Sequence, residues 1–215
     1  MLDPAGLLAA VRVLAADRPR TVVGLAGPPG AGKTTLARWL AAALPGALAG
    51  AYLPMDGFHL ANAVLTDLGR ADRKGAPDTF DAHGYVALLR RVAAADHTVY
   101  APRFHREIEE SYAAEIAIGP EVRVVVTEGN YLLLADPPWS AVRGCLDAVW
   151  YVAVPDAERV DRLIRRRVGL GQQVDVARAW ATGSDQRNAD LVAATRPRAD
   201  GEVSGSSPLP GAGGP

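Results

Sequence analysis

Gly27-Pro28-Pro29-Gly30-Ala31-Gly32-Lys33-Thr34 is the stretch on which the fold of this chain turns. It fits the phosphate-binding pattern G-x-x-x-x-G-K-[ST]. A strand-like run precedes it, Thr21-Val22-Val23-Gly24-Leu25-Ala26, and a helix-forming run from Thr35 to Ala43 follows. Strand, glycine loop and helix is the context that makes the pattern a phosphate site. The glycines let successive backbone N–H groups point inward at a polyphosphate. The helix N-terminus presents its positive dipole end to the same anion. Lys33 can reach the β- and γ-phosphates, the Thr34 hydroxyl can ligate Mg²⁺, and Thr35 opens the helix beside them. A glycine-rich turn with no ligand is the competing reading, and the Lys-Thr pair with both flanks in place argues against it.

Outward from the loop, the pattern alternates. Residues 3–16 read as a helix, with Asp3 as N-cap and Pro4 at the first helical position. Residues 51–55 read as a strand ending at Asp56, and 58–68 as a short helix. A polar irregular segment runs from Gly69 to Asp78. A helix is expected over 83–95, a short strand over 98–101, a strand over 122–127 ending at Glu128, and another over 148–154. A basic helix over 156–168 and helices over 174–181 and 185–195 follow. Residues 200–215 are Gly/Ser/Pro-rich and read as a disordered tail, which leaves one domain over 1–199. Strands alternating with helices imply an α/β fold, a parallel sheet covered on both faces. Ligands of such sheets sit at the carboxyl ends of the strands. The loop, Asp56 and Glu128 all fall at such ends.

Composition removes several function classes. The chain has 215 residues and a net charge of −1, which gives bulk electrostatics no reason to favour nucleic acid. Its single cysteine, Cys145, excludes an intramolecular disulfide framework and suits a reducing cytoplasm. No basic n-region marks a signal peptide, and no run approaches the roughly 18 apolar residues of a membrane span. The only lysines are Lys33 and Lys74.

Several residues could carry chemistry. Asp56, leaving a strand beside the phosphate loop, could accept a proton from an attacking hydroxyl or merely cap the next helix. Glu128 stands where an acid would serve a magnesium shell, directly or through water. Arg162, Arg165 and Arg166 share a helix face by i, i+3 and i+4 spacing. They could neutralise a phosphoryl group in flight from a lid, or form a solvated face paired with Asp156, Glu158 and Asp161. Arg73, Lys74, Phe80, Tyr100, Arg103 and His105 lie in polar segments that could wall a substrate, with His59 close to Asp56. None of the four histidines has metal-ligand spacing.

Taken together, the Gly27–Thr34 loop, Met55-Asp56-Gly57-Phe58-His59, Arg73-Lys74-Gly75-x-Pro77 and Thr127-Glu128-Gly129-Asn130-Tyr131-Leu132-Leu133 resemble the phosphoribulokinase/uridine kinase/type I pantothenate kinase group. The resemblance covers about residues 5–198. It implies a three-layer P-loop fold with a helical lid, and ATP-dependent phosphorylation of a small-molecule hydroxyl. It also implies Asp56 as general base, lid arginines within 162–166, and Asn130 and Tyr131 near the acceptor. Lys74-Gly75 replaces the Phe-Asp pair of uridine kinases, and Arg103-Phe104-His105-Arg106 replaces a tyrosine-rich pocket of pantothenate kinases. The subgroup resembled most is the compact bacterial kinases labelled nucleoside/nucleotide kinase-like or fructose kinase-like.

The expected reaction uses ATP and Mg²⁺ on a sugar-like or vitamin-like hydroxyl, with a nucleoside as the alternative acceptor. Lys33, Asp56, Arg162 and Arg166 are the expected catalytic set, with Arg165 on the nucleotide. Against a nucleotide switch acting on protein partners, this sequence has no Asn-Lys-x-Asp motif; against a motor ATPase, the acidic pair is missing, because Gly129 follows Glu128. The expected partner is a small molecule rather than nucleic acid or membrane. Assembly stays open, with a homodimer among the options.

Overall fold

The computed structural model describes residues 1–211. Its strands are β1 (Thr21–Ala26), β2 (Gly50–Pro54), β3 (Val99–His105), β4 (Glu110–Ile118), β5 (Val124–Gly129), β6 (Ala148–Ala153) and β7 (Gly201–Ser204). The helices are α1 (Pro4–Ala15), α2 (Lys33–Ala43), α3 (Asn62–Asp67), α4 (Ala82–Ala94), α5 (Ser140–Arg143), α6 (Asp156–Gly169), α7 (Val174–Thr182) and α8 (Ser184–Ala193). A parallel sheet runs in the order β2-β5-β1-β6-β7, and β3 and β4 form a separate antiparallel hairpin. The result is the expected α/β architecture, a parallel sheet flanked by helices.

Period-two alternation divides the core. Val22, Val125 and Val149 face one side, where Tyr85, Leu89 and Val142 from α4 and α5 pack with Val192 of α8. Val23, Leu25 and Val126 face the other, where Leu7 and Val11 of α1 meet Leu36 and Leu40 of α2. Every residue of β1 and β5 is buried, so the strands that carry the loop and Glu128 are covered on both faces. Truncating one such side chain, Leu25→Ala for example, costs about 2–5 kcal/mol. Asp3 caps α1 as expected, accepting from the Gly6 amide at 2.7 Å.

Three sequence expectations need correction. The first is the tail: Gly201–Ser204 form an edge strand parallel to β6. Val203 is fully buried and bridges to Leu2, and Asp200 accepts from the Val149 amide at 2.7 Å. One apolar residue among glycines and serines carries no periodic signal, yet it finishes the sheet. Residues 212–215 of the expected tail lie outside the described residues. The second is the hairpin: the expected strand over 98–101 extends to His105 and turns back as β4, whose alternation is weak because most of its face is open to water. The helix expected over 58–68 also shortens to α3, since residues 55–58 form a 3₁₀ turn that presents Asp56.

Candidate active site

Strand register brings the chemistry together. Glu128 of β5 pairs with Leu25 of β1 on one side and Pro54 of β2 on the other. The phosphate loop leaves β1 just beyond Leu25, and Asp56 follows Pro54. Lys33, Thr34, Asp56, Glu128 and Asn130 thereby line one cavity of about 810 Å³.

The loop is preshaped. Gly30 has φ +82°, and a Cβ there would stand 2.5 Å from the Arg159 carbonyl oxygen of α6. Glycine is required both by conformation and by the close approach of α6. Lys33 is buried, and its Nζ donates to the Pro28 carbonyl at 2.9 Å and to Asn130 Oδ1 at 2.8 Å. Desolvation lowers the Lys33 ammonium to about 8, against the pull of Glu128 and Asp56. Thr34 Oγ1 donates to Glu128 Oε1 at 3.0 Å, and the Tyr52 hydroxyl donates to the same oxygen at 2.8 Å. Burial and the nearby Asp56 raise the Glu128 carboxyl, opposed by Lys33 and by these hydrogen bonds.

Asp56 faces a different balance. Burial alone would raise it, but Arg106, His59, Lys33 and Arg166 outweigh burial and hold the carboxyl below its usual range. Arg106 Nη2 donates to Asp56 Oδ2 at 2.6 Å, so this carboxylate is both ionised and oriented. Gly57 makes the pairing feasible, because a Cβ there would stand 2.4 Å from the Pro102 carbonyl oxygen of the hairpin. His59 Nδ1 lies 2.7 Å from the Asp56 carbonyl oxygen, and its ring sits between Phe80 and Phe104 at centroid distances of 4.0 and 4.4 Å. Burial lowers the His59 imidazole, more than Asp56 raises it.

Known proteins resemble this chain. The chain is 36% identical over 152 residues to an ATP-dependent kinase-like protein of Aspergillus versicolor, a match covering 66% of this chain and 88% of that protein. It is 36% identical over 163 residues to a provisionally named uridine kinase of Schizosaccharomyces pombe, covering 71% of this chain and 68% of that protein. A solved structure from Silicibacter sp. TM1040, provisionally named a fructose transport system kinase, superposes with a TM-score of 0.87 at 38% identity. That match covers 94% of this chain and 99% of that one. No protein-family profile matches. The chain belongs to the uridine kinase/pantothenate kinase group of P-loop kinases. It is therefore a phosphotransferase.

The kinase does not bring every expected residue to its cavity. His59, Lys74, Phe80, Asn130, Arg162 and Arg166 line it, as do Pro29, Gly30, Gly32 and Thr35 of the loop region. Gly27, Pro28 and Ala31 do not line it, although the Pro28 carbonyl accepts from Lys33. None of Tyr100, Arg103 and His105 lines it: Tyr100 is exposed, Arg103 pairs with Glu115 at 3.1 Å, and His105 bridges Glu107 and Glu115. The cause is a register irregularity between Ala101 and Arg103, beyond which Phe104 and Arg106 face inward. Arg73 turns outward to Asp78 at 2.9 Å. Tyr131 is fully buried and donates its hydroxyl to the Gly75 carbonyl, so it supports a wall without being one.

On α6, Arg165 pairs with Asp161 in solvent, off the cavity. Arg162 is committed to Glu158, to the Gly205 carbonyl at 2.9 Å and to the Gly30 carbonyl at 3.4 Å. Arg166 has no ion-pair partner among the described residues. Sequence reading passed over Tyr52, Arg106, Arg167, Asp185 and Asn188. Arg106 stood in a segment already singled out, and the two-residue strand period was the signal that the bulge obscured.

Proposed function

We propose that this kinase transfers the γ-phosphoryl group of ATP to a hydroxyl of a small sugar-like or vitamin-like metabolite. The Asp56–Arg106 pair beside the phosphate loop is the observation that carries the reading. A held, ionised carboxylate in a cavity shared with Lys33 is what proton removal from an attacking hydroxyl needs. The hydroxyl proton passes to Asp56 as its oxygen bonds the γ-phosphorus. The bond from that phosphorus to the β–γ bridging oxygen breaks, and ADP leaves. Lys33 and Arg166 offset charge developing on the transferred group.

Thr34 and Glu128 would hold Mg²⁺, one hydroxyl and one carboxylate. Among the described residues no cluster of three or more His, Cys, Asp or Glu could hold a metal by itself. That fits an ion completed by phosphates and water. An ion held there would supply charge neutralisation to the triphosphate.

Coupled ADP release against a panel of alcohols tests the reaction. Asp56→Asn lowers kcat roughly 10²–10⁴-fold with ATP binding kept. Full turnover in that variant refutes the base assignment. The name of the Schizosaccharomyces pombe relative supports the nucleoside alternative, so uridine and cytidine belong in the panel.

A further inference from the structure

Beyond Asp56 the cavity continues under α6, α7 and α8, and its far end is built from Arg167, Trp180, Asp185 and Asn188. Arg167 and Asp185 are an incomplete pair. Arg167 Nη2 lies 3.5 Å from Asp185 Oδ2, at the limit of contact, and its guanidinium stacks on the Trp180 ring at 4.8 Å. Arg167 Nε and Asp185 Oδ2 are both buried and accept or donate no hydrogen bond. Buried polar atoms left without partners are costly, and a site that binds a polar ligand accounts for them. Asp185 lies in the first turn of α8, where the helix dipole favours a carboxylate, but capping would spend its oxygens on backbone amides, and Oδ2 is unspent. Asn188, one turn along and 7% exposed, donates to the Gly75 carbonyl at a long 3.3 Å.

The charges decide the ligand class. Lys74 lies 3.8 Å from Glu109, Arg106 is held by Asp56 at 2.6 Å, and Arg167 faces Asp185. Among these cations and the described residues, Lys33 and Arg166 have no carboxylate within ion-pair distance; Arg166 feels both Asp185 and Asp56, and on the phosphotransfer reading above both cations serve the transferred phosphate. A phosphate or carboxylate on the acceptor would therefore meet Asp185 or Glu109 rather than a free cation. A neutral ligand with several hydroxyls meets no such conflict. Its hydroxyls can donate to Asp185 Oδ2 and accept from Arg167 Nε at one end, while another hydroxyl reaches Asp56.

We infer that the acceptor is a neutral polyhydroxy compound, recognised at its far end by Asp185, Arg167 and Asn188. The inference rests on the phosphotransfer reading above and narrows it away from carboxylate-bearing, vitamin-like alcohols and from sugar phosphates.

The test is ADP release with neutral hexoses, pentoses, alditols and nucleosides, each set against a phosphorylated or carboxylated counterpart. Turnover is expected with a neutral member and not with its anionic counterpart. Asp185→Asn, of unchanged shape, should then raise KM for that acceptor about 10–100-fold, the effect of losing a hydrogen bond to a charged group. KM for ATP should stay within about twofold, which separates lost recognition from a damaged fold. Asn188→Ala should shift the acceptor KM in the same direction. Turnover with anionic acceptors alone, or an acceptor KM unmoved in both variants, overturns the neutral-acceptor inference and leaves the kinase reading standing. No turnover with any hydroxyl compound in either half of the panel overturns both.

Discussion

The floor and the roof of the cavity obey different rules. The floor is the ends of β1, β2 and β5, whose residues are fixed by strand register and by burial on both faces of the sheet. The roof is the β3–β4 hairpin with α6, α7 and α8, elements that pack on the floor through few residues and keep one side in water. Lys33, Thr34, Asp56 and Glu128 of the floor stand where the sequence alone put them. In the roof the direction of each side chain depends on a bulge or on helix rotation, and neighbours in sequence part company: Arg103 turns out and Arg106 in, Arg165 out and Arg166 in. A single strand end, once placed, fixes its acid. A surface helix or hairpin must also be rotated correctly, and that is set by tertiary contacts.

Removing a cation from either layer breaks the contrast most severely if the layers act as one site. Lys33→Ala and Arg166→Ala should each lower kcat/KM roughly 10²–10³-fold, because on the proposed reading each removes a donor to the transferred group. Steady-state kinetics with saturating acceptor measures both. A large loss for Lys33→Ala with none for Arg166→Ala would reduce the roof to a cover without chemistry. Lys33 also sets a pH limit. Its ammonium titrates at about 8, so it is charged below that pH and neutral above it. The kcat/KM for ATP should hold below pH 8 and fall above it, approaching about tenfold per pH unit. A profile flat to pH 10 would show that Lys33 titrates well above this range.

Arg106→Gln probes the bond between roof and floor. Phe104 packs on His59 and the Pro102 carbonyl lies against Gly57, but among the described residues the hairpin's hydrogen bond to the Asp56 carboxylate is this ion pair. Losing it should cost about 10–100-fold in kcat through a misplaced carboxylate. It also removes the strongest influence holding the Asp56 carboxyl down, so burial then raises that group. A base works above its pKa, so the acid limb of the kcat profile should move to higher pH. Unchanged kcat with an unchanged acid limb would mean that Asp56 is oriented by its own turn.

The same division explains what sequence could and could not reveal. Each floor residue belongs to a motif whose spacing is fixed by backbone geometry: a glycine loop into α2, an acid at the end of a hydrophobic strand. The tail shows the opposite limit. Val203 is one apolar residue in a run of glycine and serine, and only Leu2 and β6, distant in sequence, make it a strand. That edge matters for the site, since Gly205 beyond it accepts from Arg162 and ties the tail to α6. Asp185 was equally hidden: a helix N-terminus accounts for an aspartate so well that nothing in its neighbourhood marks it as facing a cavity.

The mildest substitution separates sequence pattern from structure most cleanly. Arg165 and Arg166 are adjacent, and helical spacing from Arg162 admits both to one face. Arg165 meets Asp161 in solvent, its side chain 70% exposed, whereas Arg166 lines the cavity. An exposed pair of this kind contributes little, and salt screens it. Arg165→Ala should therefore leave kcat and both KM values within about twofold of the parent. The measurement is informative because the two arginines carry the same charge on the same helix. If α6 acted only through its bulk positive field, removing either would cost the same, and the loss would shrink with added salt. If geometry decides, the two variants differ by the full contribution of Arg166, and salt does not close the gap. Equal losses that added salt does not shrink would mean that α6 rotates on binding nucleotide and brings Arg165 inward, turning the roof into a moving lid.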